Sequence, residues 1–352
     1  DLGVMISASH NPMPDNGIKF FAKGGDKLAD SLEAQIEARL GEPWSRPTGL
    51  DVGRIFSDES ASTRYVDYLL STISTDLAGL KVVVDCANGA SSSVAPLAYK
   101  NAGALVTAIS AAPTGWNINE NCGSTHLENL IAEVKKTGAD LGVAHDGDAD
   151  RCLLVASNGD VIDGDYILNI LARSYFDDGK LKKNTVVGTV MSNLGFIKSM
   201  ESVGINVEKT AVGDRYVLEK MLENDYVLGG EQSGHIIMRQ FSNSGDGLLT
   251  ALQIMQVMAK TKQSLLDLSS NMSKYPQVLI NVKDVAKEKL ASSAKIKQAV
   301  IDAEKDLAGV GRVLLRASGT ESLVRVMVEA NDLQLANKVA DSLAQLVRLE
   351  LK

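Results

Sequence analysis

Residues 125–151 read THLENLIAEVKKTGADLGVAHDGDADR, a helix pattern followed by a short apolar strand and an acidic loop. Thr125 and Glu128 have the spacing of a capping box, so we expect the helix to begin there. Apolar residues then recur at i, i+3, i+4 and i+7, which predicts one buried helical face. They are Leu127, Leu130, Ile131 and Val134. Gly138 is expected to end the helix before the strand, so this stretch is one helix–strand unit.

The same alternation of strand and helix extends to both sides of this unit. Strand patterns at 81–85 and 104–109 precede it. Behind the acidic loop, residues 152–156 and 160–162 flank Asn158-Gly159, which predicts a two-residue hairpin. A second cycle of similar size follows. This alternation is typical of α/β domains with a largely parallel sheet.

The last part of the chain has a different pattern. A strand at 278–282 and a helix at 287–307 are followed by paired strands at 312–315 and 323–328 and by a final helix at 333–349. This order predicts a small α+β domain rather than a doubly wound one.

The length and composition of the chain are those expected of a protein with several globular domains. The chain has 352 residues, too many for one ordinary core, and is 45% apolar and 23% charged. The predicted domains are residues 1–59, 60–160, 161–272 and 273–352. Tyr275-Pro276 is the expected hinge into the last of them.

Charge and cysteine content limit the partners. A net charge of −8 gives no overall attraction for nucleic acid or anionic lipid, so we expect neither as a partner. The apolar runs of the sequence are too short to span a membrane. Cys86, Cys122 and Cys152 form neither a CxxC pair nor an even framework, which favours a reducing compartment, the cytoplasm.

The first residues are unusual because Asp1-Leu2-Gly3 opens the chain without an initiator methionine. We therefore expect a chain that lacks the start of its first domain. Such a chain is expected to expose strand edges near residues 2–6 and to be poorly active.

Three carboxylates follow the strand of the opening stretch at alternate positions. Asp146, Asp148 and Asp150 can point at one centre, and such oxygen ligands favour Mg²⁺ or Ca²⁺. An EF-hand is excluded because its sixth and twelfth positions would be Arg151 and Ser157. Arginine directly behind the carboxylates suits a site where metal and cation share a phosphate. A solvated acidic loop stays the alternative.

Residues 6–12 (ISASHNP) bring hydroxyl groups and an imidazole to the end of a strand. Ser9 beside His10 invites comparison with a hydrolase triad, but the sequence has no G-x-S-x-G motif. A plain turn is the alternative interpretation. The stretch 15–21 then predicts a tight turn into a strand that carries Lys19.

Two further polar loops have the composition of ligand sites. Residues 316–321 (RASGTE) lie between two strands, and Arg325 follows on the second. Guanidinium groups, hydroxyls and the N–H groups of a glycine turn suit a phosphate dianion, although a solvated hairpin turn is the alternative. Glu231, Ser233 and His235 alternate along an expected extended loop, where they could bind vicinal sugar hydroxyls or form a polar β-turn.

These loops, taken together and in this order, resemble the signature of the α-D-phosphohexomutase superfamily. The matching segments are 8–12 (ASHNP), 146–151 (DGDADR), 230–235 (GEQSGH) and 316–321 (RASGTE). Three more segments are similar to the bacterial phosphoglucosamine mutases of that superfamily: 16–21 (NGIKFF), 119–126 (NENCGSTH) and 212–216 (VGDRY). Ala317 and Ser322 stand where relatives commonly have proline, so we expect a looser turn here.

The resemblance implies a fold and a catalytic set. The fold is α/β, with tandem three-layer α/β/α domains of mixed sheet and a C-terminal α+β domain like the TATA-box-binding protein. Ser9 would carry a catalytic phosphate and help to hold one Mg²⁺. The other implied metal ligands are Asp146, Asp148 and Asp150. Arg151 would neutralise charge on the transferring phosphoryl group, and Lys19 and His10 would exchange protons with the sugar oxygen.

The resemblance also implies substrate contacts. Glu231 and Ser233 resemble the sugar-reading pair of the superfamily. The residues implied to lie near the substrate are Gly213, Asp214, Arg215 and His235. The implied cradle for the non-transferring phosphate is Arg316, Ser318, Gly319, Thr320 and Arg325.

The implied reaction converts glucosamine 6-phosphate to glucosamine 1-phosphate through a bisphosphate, and so supplies UDP-N-acetylglucosamine for cell-wall synthesis. Glucosamine or glucose 1,6-bisphosphate is the expected activator, and the chain is expected to be a monomer or homodimer. One alternative is a phosphoglucomutase or phosphomannomutase. Another has Asp146 as an aspartyl-phosphate nucleophile, although Ala149 stands where a hydroxyl residue is usual. A third is a non-catalytic sugar-phosphate-binding protein.

Overall fold

A computed structural model describes residues 1–307, 309–318 and 322–352. The chain forms two compact units. The first comprises Asp1–Met191 and Gly204–Asn271, and the second comprises Ser192–Val203 and Met272–Lys352.

The elements follow one another in the order that the alternating pattern indicates. The strands are β1 (Leu2–Ile6), β2 (Ile18–Ala22), β3 (Lys81–Asp85), β4 (Leu105–Ile109), β5 (Leu141–Ala144), β6 (Leu153–Ala156), β7 (Val161–Ile162), β8 (Thr185–Thr189), β9 (Asn206–Thr210), β10 (Leu228–Gly230), β11 (Ile236–Met238), β12 (Gln277–Lys283), β13 (Gly311–Ala317) and β14 (Leu323–Ala330). The helices are α1 (Asp30–Ala38), α2 (Ala61–Ser71), α3 (Ser91–Asn101), α4 (Glu128–Thr137), α5 (Gly164–Asp177), α6 (Leu194–Glu201), α7 (Asp214–Asn224), α8 (Gly247–Thr261), α9 (Leu265–Ser269), α10 (Ala294–Asp306) and α11 (Leu333–Glu350). Within the described ranges, none of these helices is both long and apolar enough to cross a membrane.

The sheet that carries the acidic loop has the strand order β4-β3-β5-β6-β7. β3 runs parallel to β4 and β5, whereas β6 and β7 join antiparallel. The predicted hairpin is present, but its loop has three residues rather than two, because Ala156 pairs with Asp160 and leaves residues 157–159 between the strands; Gly159 has the positive φ of 94° that favours glycine. The sheet is therefore mixed, as the family resemblance implies, rather than largely parallel.

Helix α4 covers one face of this sheet through the apolar residues that the sequence pattern predicted. Leu130 and Val134 are fully buried and pack with Val83, Ala144 and Val155. Burying one such aliphatic side chain contributes about 1.5–3 kcal/mol. Because the acidic loop begins where β5 ends, this packing fixes the place from which the loop starts.

A second sheet of the first unit has the order β11-β10-β8-β9. β8 is parallel to β9 and β10, and β11 is antiparallel to β10. Helix α7 packs against it through Val217 and Met221, which meet Val187 and Ile237. The turn between β10 and β11 therefore sits at the end of a buried sheet.

The second unit confirms the predicted α+β domain. Its antiparallel sheet has the order β12-β14-β13. Helices α10 and α11 pack on this sheet and enclose one apolar core with it. The core includes Val282, Ile296, Val326 and Val347.

Helix α6 joins the second unit because a buried acid requires donors. Glu329 is fully buried on β14, and its Oε2 accepts from the Leu194 N–H at 2.9 Å and from Arg312 Nε at 2.7 Å. The Asn193 side chain also holds the backbone of Tyr275, in the expected hinge. Its Nδ2 donates to the Tyr275 carbonyl at 3.0 Å, and its Oδ1 accepts the Tyr275 N–H at 2.9 Å.

Three local predictions were wrong. Helix α4 begins at Glu128, and Thr125 lies in a 3₁₀ turn, because the buried Asp85 carboxylate accepts the Gly123 N–H at 2.9 Å and draws the segment inward. The helix expected at 287–307 is broken: Lys287–Ser292 is a 3₁₀ turn, and α10 restarts behind an extended Ser293 that caps it. In the second cycle, the sequence pattern also predicts a strand at 226–228, whereas β10 begins only at Leu228 and pairs with β8 at Gly229.

The hairpin of β1 and β2 supports the loop that contains Ser9. Its outer face is apolar and exposed: the relative exposures of Leu2, Val4 and Ile6 are 58%, 56% and 79%. Gly17 is required at its turn, since a Cβ there would lie 2.2 Å from the carbonyl oxygen of Ser7.

The turn between β3 and α3 predicts one stability effect. A Cβ on Gly89 would lie 2.3 Å from the Gly147 carbonyl oxygen of the acidic loop, so Gly89→Ala must displace backbone. We expect it to destabilise the first unit by about 1–3 kcal/mol. Gly53→Ala is the matched control, because a Cβ on Gly53 meets nothing within 4 Å. Equal urea unfolding midpoints for the two variants, measured by circular dichroism, would contradict the prediction.

Candidate active site

The acidic loop is held at both ends by antiparallel strands, since β5 leads into it and β6 leaves it. His145, fully buried at its start, closes the loop across its base. Its Nδ1 lies 3.0 Å from the Arg151 carbonyl oxygen, and its Nε2 lies 2.8 Å from the Tyr99 hydroxyl. A carbonyl can only accept, so Nδ1 carries the proton and Nε2 accepts from Tyr99. Burial lowers the pKa of His145 to about 4, which keeps the ring neutral.

The aspartates of this loop converge as the alternating spacing predicts. One carboxylate oxygen each from Asp146, Asp148 and Asp150 lies within 4.8 Å of the others. Burial, followed by the charges of Asp150 and Asp148, raises the pKa of Asp146 to about 7, while Arg151 opposes this shift. The cluster is therefore short of positive charge.

The donor set fits a hard divalent cation. The Oδ1 atoms of Asp148 and Asp150 are buried and have no hydrogen-bond partner among the residues that the structure describes. An unpaired buried oxygen is costly, and a metal ion would satisfy both atoms. Hard oxygen ligands of this kind suit Mg²⁺.

The serine loop places its hydroxyl against this cluster. Ser9 Oγ donates to Asp146 Oδ2 at 3.0 Å, and His10 Nδ1 lies 3.3 Å from the same Oγ. Ser7 Oγ accepts the Ser9 N–H at 2.9 Å and donates to Asp148 Oδ2 at 3.0 Å. Ser9 has φ 54°, in the left-handed region that serine rarely adopts. The segment is a turn, the alternative considered for it, closed by a 3.1 Å hydrogen bond from the Asn11 N–H to the Ala8 carbonyl, and the hydroxyl of Ser9 faces the acids from this turn.

Two cations flank the acids. Lys19 Nζ donates to Asp148 Oδ2 at 2.6 Å and lies 3.6 Å from Asp150 Oδ2. Burial opposes the charge on Lys19, but the Asp148 hydrogen bond and the Asp150 charge outweigh it and raise its pKa. Arg151 Nε lies 3.8 Å from Asp146 Oδ2. Burial, and then the Arg151 charge, lowers the pKa of His10.

The turn between β10 and β11 approaches the same cluster. It is a β-turn, the alternative considered for this segment, closed by a 3.0 Å hydrogen bond from the Gly234 N–H to the Glu231 carbonyl. Glu231 Oε1 accepts the Gly213 N–H at 2.9 Å, so the 213–215 loop lies beside it. Ser233 is half-buried within the turn.

His235 connects this turn to the acids. Its Nε2 lies 3.3 Å from Asp214 Oδ2 and 3.8 Å from Asp150 Oδ2. Lys27 also pairs with Asp214. Arg215 extends along α7 and donates to Glu219 at 2.8 Å.

A cavity of about 360 Å³ borders the acidic loop. Its polar lining includes Lys19, Lys27, Asp150 and His235. Phe21 contributes to its apolar wall. The cluster is thus accessible to a small molecule from this side.

The predicted phosphate cradle lies in the second unit. Arg316 and Arg325 stand opposite each other in the register of β13 and β14. Burial, and then the Arg325 charge, lowers the pKa of Arg316. Ser318 is buried, and its N–H donates to the Leu323 carbonyl at 2.9 Å. Gly319 and Thr320 lie outside the described residues.

Sequence reasoning missed several residues that touch this site. Ser7 and Lys27 received no role, although they bind Asp148 and Asp214. Asn119 was noted only within a matching segment, although its side chain contacts the serine loop. The available signal was position: Ser7 is two residues from Ser9, so both can face one side of an extended segment. Lys27 and Asn119 carried no such local signal.

Comparisons with known proteins match the chain along most of its length. Family models of phosphoglucomutase/phosphomannomutase match as alpha/beta/alpha domain I (residues 1–44), domain II (63–159), domain III (163–275) and the C-terminal domain (279–346). A phosphoglucosamine mutase of Streptomyces griseus is 55% identical over 356 aligned residues, which cover 100% of this chain and 79% of that protein.

Solved structures show the same fold. A phosphoglucomutase/phosphomannomutase family protein from Burkholderia thailandensis superposes with a TM-score of 0.83 at 22% identity, covering 100% of this chain and 78% of that one. An Aspergillus fumigatus N-acetylphosphoglucosamine mutase, in complex with GlcNAc-6P and magnesium, gives a TM-score of 0.79 at 17% identity, with coverages of 100% and 89%.

Divalent-cation binding tests the aspartate cluster directly. Asp150→Asn removes a charge and replaces one carboxylate oxygen by an amide group, so we expect Mg²⁺ affinity to fall by at least about tenfold, since even residues behind the ligands have effects of that size. Asp51→Asn is the control, because Asp51 is exposed in a 3₁₀ turn. Isothermal titration calorimetry measures both variants. Unchanged affinity in folded Asp150→Asn would show that the cluster is not the metal site.

Proposed function

The chain belongs to the phosphoglucomutase/phosphomannomutase family, and we propose that it interconverts glucosamine 6-phosphate and glucosamine 1-phosphate. The reaction type is supported by one observation above all: the Ser9 hydroxyl points at Asp146 inside a cluster of acids and cations. The choice of sugar is supported by the 55% identity with a phosphoglucosamine mutase.

We propose that Ser9 carries the transferable phosphoryl group. Ser7 and Ser9 each place Oγ 3.0 Å from an aspartate oxygen of the cluster, and of the two it is Ser9 whose Oγ lies 3.3 Å from His10 Nδ1. A phosphate at this position would bring negative charge beside Arg151 and Lys19. Phosphoryl transfer depends mainly on positioning and charge neutralisation, which these side chains provide.

The proposed metal is one Mg²⁺ held by Asp146, Asp148 and Asp150 together with the Ser9 phosphate. When bound, such a cation neutralises charge on a phosphoryl group and orients it. Lys19 keeps its proton through the hydrogen bond to Asp148, so it acts as a fixed positive charge.

His10 is the better of the two candidates for proton transfer. Its lowered pKa favours the neutral imidazole, which can accept a proton, and Nδ1 lies 3.3 Å from Ser9 Oγ. Lys19 has the opposite shift and is engaged with two aspartates. We therefore assign the proton of the attacking sugar hydroxyl to His10.

The reaction then consists of two transfers. The O1 hydroxyl of glucosamine 6-phosphate attacks the Ser9 phosphate, the P–Oγ bond breaks, the O1–P bond forms, and the hydroxyl proton leaves O1. The product is a 1,6-bisphosphate and unphosphorylated Ser9. In the second transfer Ser9 Oγ gives up its proton and attacks phosphorus at O6, the Oγ–P bond forms, the P–O6 bond breaks, and O6 takes up a proton to leave glucosamine 1-phosphate. A glucosamine or glucose 1,6-bisphosphate would supply the first phosphate.

The sugar and its second phosphate require separate contacts. We propose that Glu231 and Ser233 bind sugar hydroxyls at the β10–β11 turn. Residues proposed to line the substrate beside them are Gly213, Asp214, Arg215 and His235. In the second unit, the proposed cradle for the phosphate that is not transferred is Arg316, Ser318, Gly319, Thr320 and Arg325.

The proposed division into four domains is supported by the consecutive family-model matches. The free, buried cysteines support a reducing compartment, and we propose the cytoplasm.

Intact-mass analysis tests the phosphoserine. After incubation with glucose 1,6-bisphosphate and Mg²⁺, the wild-type chain is expected to gain one phosphoryl group, and Ser9→Ala none. Ser7→Ala is the comparison, since it removes the neighbouring hydroxyl but keeps Ser9; the adduct is expected to form in this variant, more slowly because the Ser9 N–H loses its bond to Ser7 Oγ. An adduct that survives Ser9→Ala would instead support an aspartyl phosphate at Asp146. No adduct on the wild type would favour a binding protein.

A substrate panel tests the sugar. We expect kcat/KM for glucosamine 1-phosphate to exceed that for glucose 1-phosphate by more than about tenfold, because a site built around an amino group leaves its polar groups mismatched to a hydroxyl. Coupled assays with glucosamine, glucose and mannose phosphates provide the ratio. Equal values would reject the glucosamine assignment and leave a broader mutase of the same family.

A further inference from the structure

We infer that Asn119 is a positioning residue that keeps Ser9 aligned with the acidic loop in both its free and its phosphorylated form. The inference rests on the proposed function, because it assumes that Ser9 is the phosphorylated residue. It concerns a side chain that contacts the serine loop but lies 110 residues away in the sequence.

The contact is made by one amide group. Asn119 Nδ2 donates to the carbonyl oxygens of Ser9 and Asn11, at 2.9 Å each. Both partners can only accept, so the amide nitrogen, not the amide oxygen, must face them. Asn119 is 6% exposed, so little water is available to replace it. Loss of this amide would leave two carbonyl groups without that donor.

Ser9 has a backbone conformation that must be held from outside. Its φ of 54° is disfavoured for a residue with a Cβ, and such conformations persist where the surroundings enforce them. Ser7 Oγ holds the Ser9 N–H at 2.9 Å, and Asn119 holds the Ser9 carbonyl. The two side chains therefore fix the peptide groups on either side of Ser9, and thereby the direction of Oγ.

The segment that begins at Asn119 is connected to the acidic loop by hydrogen bonds. The Asn119 N–H donates to the Ala87 carbonyl at 2.9 Å, just after β3. The buried Asp85 accepts N–H groups from Ala87 and Gly123, and the Ser124 N–H donates to the His145 carbonyl at 2.9 Å. The segment 119–124 thus connects the serine loop to the first residue of the acidic loop.

Close packing at this junction supports the same conclusion. A Cβ on Gly147 would lie 2.5 Å from the Ser9 carbonyl oxygen and 2.9 Å from Asn119 Nδ2. The acidic loop, the serine loop and the Asn119 amide therefore meet within van der Waals distance. A small displacement of the amide would change the distance between Ser9 Oγ and the aspartates.

The hydrogen bonds of Asn119 do not involve the reacting atom. The Ser9 Oγ–H bond to Asp146 is lost when Oγ carries a phosphoryl group, whereas the bond from Asn119 to the Ser9 carbonyl remains. Asn119 can therefore preserve the alignment through both transfers. A displacement of about 1 Å at reacting groups can reduce a rate about 100-fold.

The test compares Asn119→Ala with Asn121→Ala. Both asparagines lie in the same turn and have positive φ, 56° and 52°, so alanine meets the same backbone strain at either position. Asn121 is exposed. For Asn119→Ala we expect kcat to fall about 10- to 100-fold with KM for the sugar phosphate within about twofold of wild type. For Asn121→Ala we expect both constants to stay close to wild type.

Two more measurements accompany the kinetics. Intact-mass time courses should show slower phosphorylation of Ser9 by glucose 1,6-bisphosphate in Asn119→Ala. Hydrogen exchange measured by mass spectrometry compares Asn119→Ala with the wild type. The peptide covering residues 7–11 should exchange faster in the variant, whereas the peptide covering residues 152–156 should exchange at the wild-type rate. Equal behaviour of Asn119→Ala and Asn121→Ala, or a kcat for Asn119→Ala within twofold of wild type, would overturn the inference.

The experiments distinguish an Asn119 variant that does not fold from a failure of the proposed function. If Asn119→Ala does not fold, Asn119→Asp, which keeps the side-chain shape but lacks the donor, replaces it. If neither folds, Asn119 is a folding residue and the inference is wrong. If the wild-type chain accepts no phosphate at Ser9, the proposed function fails. The exchange comparison then still decides whether Asn119 holds the serine loop.

Discussion

Three carboxylates held within 4.8 Å of one another are the constraint on which the rest of the site depends. Two unit charges 4 Å apart repel by about 4 kcal/mol at an effective dielectric constant of about 20. The loop can hold ionised aspartates only because Lys19 and Arg151 lie beside them and a further cation can bind. The raised pKa of Asp146 expresses the same shortage of positive charge. A site with this balance attracts a further cation, as well as the positive side chains that a phosphoryl group also needs.

The fold brings separate parts of the first unit to that loop. The β1–β2 hairpin supplies Ser9 and Lys19, and the turn after β10 supplies Glu231 and His235. Close backbone contacts keep these parts in place, most visibly at Gly147, where any side chain would collide with the serine loop. Backbone packing therefore limits the distance between the proposed phosphoserine and the three aspartates.

The distribution of charge explains how an acidic chain can act on anionic sugars. The net charge of −8 provides no long-range attraction for phosphates. In the first unit, Lys19 and Arg151 compensate the aspartates. In the second unit, Arg316 and Arg325 face each other across two strands, and their mutual repulsion favours an anion between them. Local pairs of cations, rather than the overall charge, therefore provide the positive potential at the proposed phosphate sites.

The sequence by itself determined the α/β class and the convergence of Asp146, Asp148 and Asp150, because strand alternation and short-range spacing are local properties; its loop motifs indicated the family by resemblance. Local patterns failed where a distant group intervened: the Asp85 carboxylate draws the start of α4 into a 3₁₀ turn, against the capping-box signal. Only the tertiary structure decided that Asn119 holds the Ser9 backbone. Its partner lies 110 residues away, and a hydrogen bond at that separation exists only after the chain has folded, so no local pattern encodes it.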